Sequence, residues 1–519
     1  MTAALSLLLT ALVCRPSAQE PQPTFRTSTR LVEVSVVVTD RAGKLVPGLT
    51  RDDFTIAEDG IPHAISIFEA NDTREPRANA AAAVDESGPS GLFTNTVRDA
   101  SGSTAVLVFD RLNAAFDSQW FARKHLDRYL TTMRSGDRIA LYVLDGGIRV
   151  LHDFSDNASS LRAALDLYRA RVTGDYDASN EPPADLSGGG GSLPVWIVDP
   201  STSVSDFFTG RRWRNTFGAM QVLARHLSGV AGRKSVVWVS EAFPIPTGLD
   251  RSEFLEEMRK TTRAMNDAQA SLYPVDSRGL VGAISYARGK ARFTTLSDVR
   301  GKIETMESVA EDTGGRAFAN TNALDMSIGR AVDDSRLTYL LGYYPSDSRL
   351  DGRFRTIDVK VTKKGLNVRF RHGYVASEPA ADQKGRDAAL REALEGPLAA
   401  TQVGLSARTD YDKPSSTVTI QLMIDASPLA LESEDGRWRG AVDVLVAEVS
   451  RNARGNIVRT ETLDVFIADG ERAAVLQDGL PLTLTVDITR YLHELRIVAR
   501  DVRSGRVGSL VIPAARLLR

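Results

Sequence analysis

The sequence predicts a multidomain chain of α/β plus all-β class: an open, doubly wound α/β sheet inserted in a β-sandwich, followed by a C-terminal immunoglobulin-like β-sandwich. Three observations carry this. Between residues 103 and 336, short continuous apolar runs alternate with helical patterns, the mark of parallel strands covered on both faces. The flanking segments 31–70 and 337–376 carry strand patterns instead, some alternating apolar and polar residues with period two. From 398 to 519, strand patterns recur with turn signals between them. The composition agrees: 519 residues, 42% hydrophobic and 25% charged, have room for roughly three domains with full cores.

At the N-terminus, Ala3 to Val13 is an uncharged apolar run, shorter than the roughly 20 residues that cross a bilayer. It reads as the core of a secretory signal over residues 1–18, ending near Pro16-Ser17-Ala18. Cys14 is the only cysteine, and lipidation there is the alternative. The expectation is an exported protein, periplasmic, cell-surface or secreted, with no transmembrane span in the mature chain. A net charge of −2 with no basic stripe offers nothing for nucleic acid.

Residues 19–30 are polar and Pro-containing, a disordered lead-in. Val32, Val34, Val36 and Val38 then mark a strand with one buried face. Phe54–Ala57 and Ala64–Phe68 read as two more strands, joined at Asp59-Gly60. Residues 71–102 have little periodicity and read as a linker. Buried strands follow at Thr104–Phe109, Ile139–Leu144, Ser235–Val239 and Ser271–Val275, with a shorter one at Arg316–Ala319. Phe121, His125, Leu126, Tyr129, Leu130 and Met133 share one helical face, with Asp117 as the cap and His125 as a core histidine. Asp250 and Glu253 form a capping box before Phe254. Leu337–Tyr344, Phe354–Val361 and Asn367–Tyr374 are the strands expected to complete the N-terminal β half. Residues 377–397 read as a linker helix. Thr417–Ile424, Gly440–Ser450, Ile457–Ala468, Leu482–Ile488 and Glu494–Asp501 are the strands of the last region.

The chemistry centres on Val106-Leu107-Val108-Phe109-Asp110, four apolar residues ending in one carboxylate, with Arg111-Leu112-Asn113-Ala114 after it. A buried parallel strand delivers a ligand to the top of an open α/β sheet in this way. The region resembles a von Willebrand factor A domain. In that family a metal site reads Asp-x-Ser-x-Ser after the first strand, then a Thr before a later helix, then the Asp of Thr-Asp-Gly. These hard oxygens suit Mg²⁺, with one position open for a carboxylate of the partner. Asp110 matches the first Asp. Leu112 and Ala114 stand at the two serines and offer no oxygen. Glu241, in Ser240-Glu241-Ala242, takes the last Asp position. Arg214 falls at the coordinating Thr, and a slip of two residues puts Thr216 there. Leu31–Asp40, Asp53–Gly60, Gly232–Ser235, Tyr273–Leu280, Tyr339–Pro345, Gly352–Arg355 and Arg371–Tyr374 together resemble a bacterial family of VWFA-related domain proteins, over about residues 25–376. That resemblance implies a fold and an exported compartment rather than a reaction.

No metal or other cofactor is therefore expected. Arg214 would supply the missing positive charge by pairing with Asp110 or Glu241. The alternative is that Asn113 and Thr216 rebuild a weaker Mg²⁺ site with Asp110 and Glu241. The long segment 172–213 carries a Gly188–Gly191 hinge and then Val195, Trp196, Ile197, Val198, Phe207, Phe208 and Trp213. Its aromatics read as a lid packed on the domain or as an exposed recognition patch. The acidic residues Asp175, Asp177, Asn180, Glu181 and Asp185 lack Ca²⁺-loop spacing and read as solvated loop. Asp276 and Arg278 are expected to form a structural pair. No nucleophile motif or phosphate loop is present, so no enzymatic activity is expected.

The functional expectation is a protein-interaction or adhesion-type scaffold. It would bind an unidentified envelope protein through Asp110, Asn113, Arg214, Thr216, Glu241, Trp196, Phe207 and Phe208. Two alternatives stand beside it: a structural module whose C-terminal β-sandwich is the binder, and a carboxylate-based hydrolase using Asp110 and Glu241.

Overall fold

The computed structural model describes residues 31–74, 92–96, 103–134, 136–174, 200–241, 243, 251–280, 284–287, 290–293, 296–347, 349, 351–376, 383–434, 436–450 and 455–518. The signal-like run, the lead-in, Asp250 and the acidic cluster from Asp175 lie outside the described residues. Among those described, no helix is long and apolar enough to cross a membrane.

Five strands make the central sheet, in the spatial order Ala270–Asp276, Lys234–Ser240, Thr104–Asp110, Arg138–Leu144, Ile148–Ser155. The first four run parallel. Each is a continuous apolar run because both faces are covered. Ala105, Leu107 and Phe109 point to one layer, built from helices Phe116–Thr131, Ala158–Asp166 and Leu324–Asp333. Val106 and Val108 point to the other, built from helices Pro200–Leu227, Arg251–Asp267 and Leu296–Asp312. The alternation of a single strand thus feeds two separate cores.

Among the described residues, four further sheets of four or five strands pack in pairs, and Ile284–Ala287 with Lys290–Phe293 makes a separate two-stranded one. Val32–Asp40, Leu337–Tyr343, Ile67–Asp72 and Leu366–Arg369 form one sheet, with Val34 opposite Leu341. Phe54–Glu58, Ile61–His63, Phe354–Val361 and Gly373–Val375 form a second. Val34, Val36, Tyr339 and Leu341 of the first meet Phe54, Ile56, Ile357 and Val359 of the second in one core. The chain leaves this unit and returns to it at one point, where the Thr73 amide donates to the Arg336 carbonyl at 2.7 Å. Toward the C-terminus, Leu405–Asp412, Thr417–Ile424 and Leu480–Asp487 share a sheet. It packs on a second one containing Arg437–Val449, Gly455–Ala468, Glu494–Asp501 and Val507–Pro513.

Several expectations need correction. The central sheet is not wholly parallel, because Ile148–Ser155 returns antiparallel along its edge. Arg316–Ala319 makes a single bridge, Phe318 to Val275, rather than a strand. There the backbone presses so close that a Cβ on Gly315 would lie 1.8 Å from the Leu272 carbonyl oxygen. The 71–102 linker contains a strand, Leu92–Thr94, that pairs with Leu405–Asp412. The 377–397 linker helix spans Gln383–Glu395 and buries Ala393 and Leu394 against the C-terminal sheet. Of the strand expected over Ala64–Phe68, only Ile67 and Phe68 are in one, Ile67–Asp72, and the neighbouring Ile61–His63 belongs to a different sheet. Asn367–Tyr374 splits as it crosses from one sheet to the other, where Gly373 passes within Cβ reach of the Arg355 carbonyl. Asp117 sits in the first helical turn, and the cap position is Ala115. The loop expected over 172–213 ends earlier, because the helix begins at Pro200.

Candidate functional site

Parallel strands bring their carboxyl ends to one edge, which puts Asp110, Ser240 and Asp276 side by side at the top of the sheet. Asp110 is 2% exposed. Its Oδ1 accepts the Asn113 backbone N–H at 2.9 Å, the short-range bond that shapes the loop after the strand. Its Oδ2 accepts from Asn113 Nδ2 at 2.7 Å and from Trp238 Nε1 at 3.0 Å. Burial pushes the Asp110 carboxyl up, while the bonds from Asn113, Trp238 and Ser240 pull it back. Each of these partners is a donor, which favours the carboxylate form.

Asn113 is the hub. Its Nδ2 also donates to Thr216 Oγ1 at 2.8 Å, and its Oδ1 accepts from Arg212 Nε at 3.0 Å. Thr216 in turn donates to the Arg212 carbonyl at 2.8 Å. Arg212, not Arg214, is therefore the cation over this network. The reason is helical geometry: residues four apart share a face, and residues two apart do not. Arg214 points away and makes a two-point pair with Glu253, with distances of 3.1 and 2.8 Å. Glu241 Oε1 accepts from the Ala115 backbone N–H at 3.0 Å and the Ser118 hydroxyl at 2.6 Å. It caps the start of helix Phe116–Thr131, where a negative charge is favourable.

This donor set does not suit a divalent cation. Mg²⁺ needs oxygen ligands in near-octahedral array. Here N–H groups already occupy both oxygens of Asp110, and the side chains of Leu112 and Ala114 beside it are buried carbon.

Beside Glu241 a groove of about 580 Å³ opens between Phe116, Trp120 and Phe121 on one side and Ser277 and Arg278 on the other. Phe116 and Trp120 are 52% and 55% exposed. Lys124 Nζ lies 5.6 Å from the Trp120 ring. The Ser277 hydroxyl is buried with no hydrogen-bond partner among the described residues. Arg278 makes a two-point pair with Asp276 at 2.9 and 2.8 Å, as expected from the sequence. Burial pushes the Asp276 carboxyl up, and Arg278 opposes it. Phe207 is exposed and packs edge-on against Phe208, with Arg211 over both rings. Trp213 is fully buried core rather than lid. Trp196 lies outside the described residues. His125 is buried, with Nδ1 2.7 Å from Asp325.

Sequence reasoning missed Arg212, Trp238, Phe116 and Trp120. Two signals were available. The choice of Thr216 as the inward residue selects Arg212 at four residues' distance. A tryptophan inside a continuous buried strand also has to place its N–H on an acceptor.

No family model matches the chain, and no curated protein matches it. Solved structures similar to it include proteins with von Willebrand A domains. A von Willebrand factor type A protein from Catenulispora acidiphila is 10% identical over 63% of this chain and 80% of that one, with a TM-score of 0.23. An aerotolerance-related membrane protein from Bacteroides fragilis is 11% identical over 45% of this chain and 99% of that one, with a TM-score of 0.27. The N-terminal domains of the type V pilus tip protein Mfa5 from Porphyromonas gingivalis are 9% identical over 70% of this chain and 75% of that one, with a TM-score of 0.26. Scores this low leave the fold to be read from the strand order and register of the chain itself.

Proposed function

We propose that the protein is an exported interaction scaffold that holds a protein partner at the top of its α/β sheet without a metal ion. In this reading two β-sandwiches, the second immunoglobulin-like, carry the von Willebrand A-type sheet. The groove between Phe116, Trp120 and Arg278 is the observation that carries the reading. It combines exposed aromatic rings, a fixed guanidinium and an unsatisfied hydroxyl in one concave place, the ingredients of a binding hot spot. Chain donors hold both Asp110 and Glu241, which favours a structural role for these carboxylates over an acid–base pair. The Arg212–Asn113–Asp110 network does for the loop what a cation would otherwise do, and this supports the metal-free reading.

The test is capture from cell-envelope extract with purified full-length protein, wild type against Phe116→Ala/Trp120→Ala, followed by mass spectrometry. A partner retained by the wild type and depleted at least tenfold by the double variant supports the reading. Equal recovery of every retained protein by both refutes it.

A further inference from the structure

A second large hollow lies at the other end of the central sheet, between the turn after Val32–Asp40 and the end of helix Leu324–Asp333. Its volume is about 630 Å³, within the usual size range of small-molecule sites. Eight of its fifteen lining residues are Arg or Lys, and two are Asp. Both acids are already committed. Asp333 pairs with Arg134 and Arg336 at 3.4 and 2.8 Å, and Asp334 with Arg369 at 2.6 Å. Arg41, Lys44, Arg316 and Arg330 line the same hollow, and none has a carboxylate within ion-pair distance among the described residues.

The Arg41–Lys44 turn and the Arg316 side chain are held in place, and Arg41, Lys44 and Arg330 reach solvent. Asp40 Oδ1 accepts the backbone N–H groups of Ala42 and Lys44, both at 2.9 Å, and this pins the turn that presents Arg41 and Lys44. Across the cleft, the Arg316 guanidinium lies 4.4 Å from the centre of the Phe318 ring. Arg369 Nε is buried without a hydrogen-bond partner among the described residues. Burial, with Arg369 next, pushes the Arg316 pKa down, the direction expected of a cation held among cations. Guanidinium groups do not shed their proton in proteins, so the cluster keeps its charge. An anion with several charges in a small volume relieves that repulsion best, and arginine forks match phosphate oxygens.

We propose that this cleft binds an oligophosphate group, a di- or triphosphate anion bridging the Arg41–Lys44 turn on one side and Arg316 and Arg330 on the other. The same chemistry is offered by a free phosphate chain and by a lipid headgroup bearing more than one phosphate.

Isothermal titration of the full chain with inorganic tripolyphosphate at low ionic strength tests this, wild type against Lys44→Glu/Arg330→Glu. Both side chains are exposed, so the fold should persist, and circular dichroism checks it. Saturable micromolar binding is expected in the wild type, weakened at least tenfold in the double variant. A parallel arm uses phosphatidylcholine vesicles with and without a lipid bearing a two-phosphate headgroup. Binding in solution identifies a free ligand. Charge-variant-sensitive retention on the phosphorylated vesicles alone identifies a headgroup. Binding that the double variant leaves unchanged, or no binding in either arm, overturns the proposal. The groove variant Phe116→Ala/Trp120→Ala should bind tripolyphosphate like the wild type, which separates this result from that for the top face.

Discussion

Replacing Asp110 by asparagine keeps the shape of the side chain and reverses the hydrogen-bonding sense of one terminal atom. The amide has two ways to sit. With its NH₂ in place of Oδ2, it confronts two donors, Asn113 Nδ2 and Trp238 Nε1. With its NH₂ in place of Oδ1, it confronts the Asn113 backbone N–H. Either way at least one buried donor is orphaned, at about 1–3 kcal/mol. Losing the charge on the remaining bonds adds to this cost, and relief from burying a carboxylate offsets it. The expected net loss is about 1–3 kcal/mol of local stability. Hydrogen–deuterium exchange of peptides covering strand Thr104–Asp110 reads this directly, since opening free energy sets the exchange rate. Exchange there should quicken roughly 5–150-fold in Asp110→Asn. Millimolar Mg²⁺ should leave the wild-type rate unchanged. A site with micromolar affinity would instead gain about 4 kcal/mol at a thousandfold excess. Unchanged exchange in the variant, or Mg²⁺ protection of the wild type that the variant loses, would refute the reasoning.

Other outcomes follow from the same geometry. Lys234 is 2% exposed, its Nζ bonds only to the Val230 carbonyl among the described residues, and burial pushes its pKa down to about 7. Lys234→Met should therefore stabilise the protein by up to about 5 kcal/mol below pH 7. The advantage should shrink as pH rises toward 10.5, where the unfolded chain also loses the proton; melting curves from pH 6 to 10 check the sign. Gly315→Ala places a methyl group against the Leu272 carbonyl and should cost at least about 3 kcal/mol, seen as loss of soluble, folded protein. Arg212→Met should quicken exchange at the Asn113 loop, whereas Arg214→Met, at an exposed ion pair, should change stability by less than about 1 kcal/mol. Ending the chain after Ala376 removes the partner of Leu92–Thr94, so limited proteolysis should cut near residue 93 at least tenfold faster.

The parts of the fold legible from sequence were those whose signal is local. Strands such as Thr104–Asp110 are continuous apolar runs, and Asp59-Gly60 sits at a tight turn with both residues at positive φ. Ile148–Ser155 escaped because an edge strand exposes polar residues and breaks its own periodicity. Leu405–Asp412 hides only Leu405 and Ala407 among polar neighbours, and Leu92–Thr94 is too short to have a period. The site was half legible. Asp110, Asn113, Thr216 and Glu241 do come together at the top of the sheet. Which arginine joins them depends on helix phase, which an alignment uncertain by two residues does not carry. The aromatic groove depends on side chains left uncovered, and no pattern along the chain records that.

The pairing of Leu92–Thr94 with Leu405–Asp412 also sets a clock on biogenesis. The Thr94 hydroxyl donates to the Leu405 carbonyl 311 residues further along. At about 5–20 residues per second, roughly 15–60 s of synthesis separate the two. For that interval the early strand is an open edge on an unfinished molecule, able to pair with the wrong neighbour. Whatever escorts the nascent chain has to keep that edge covered until its distant partner emerges.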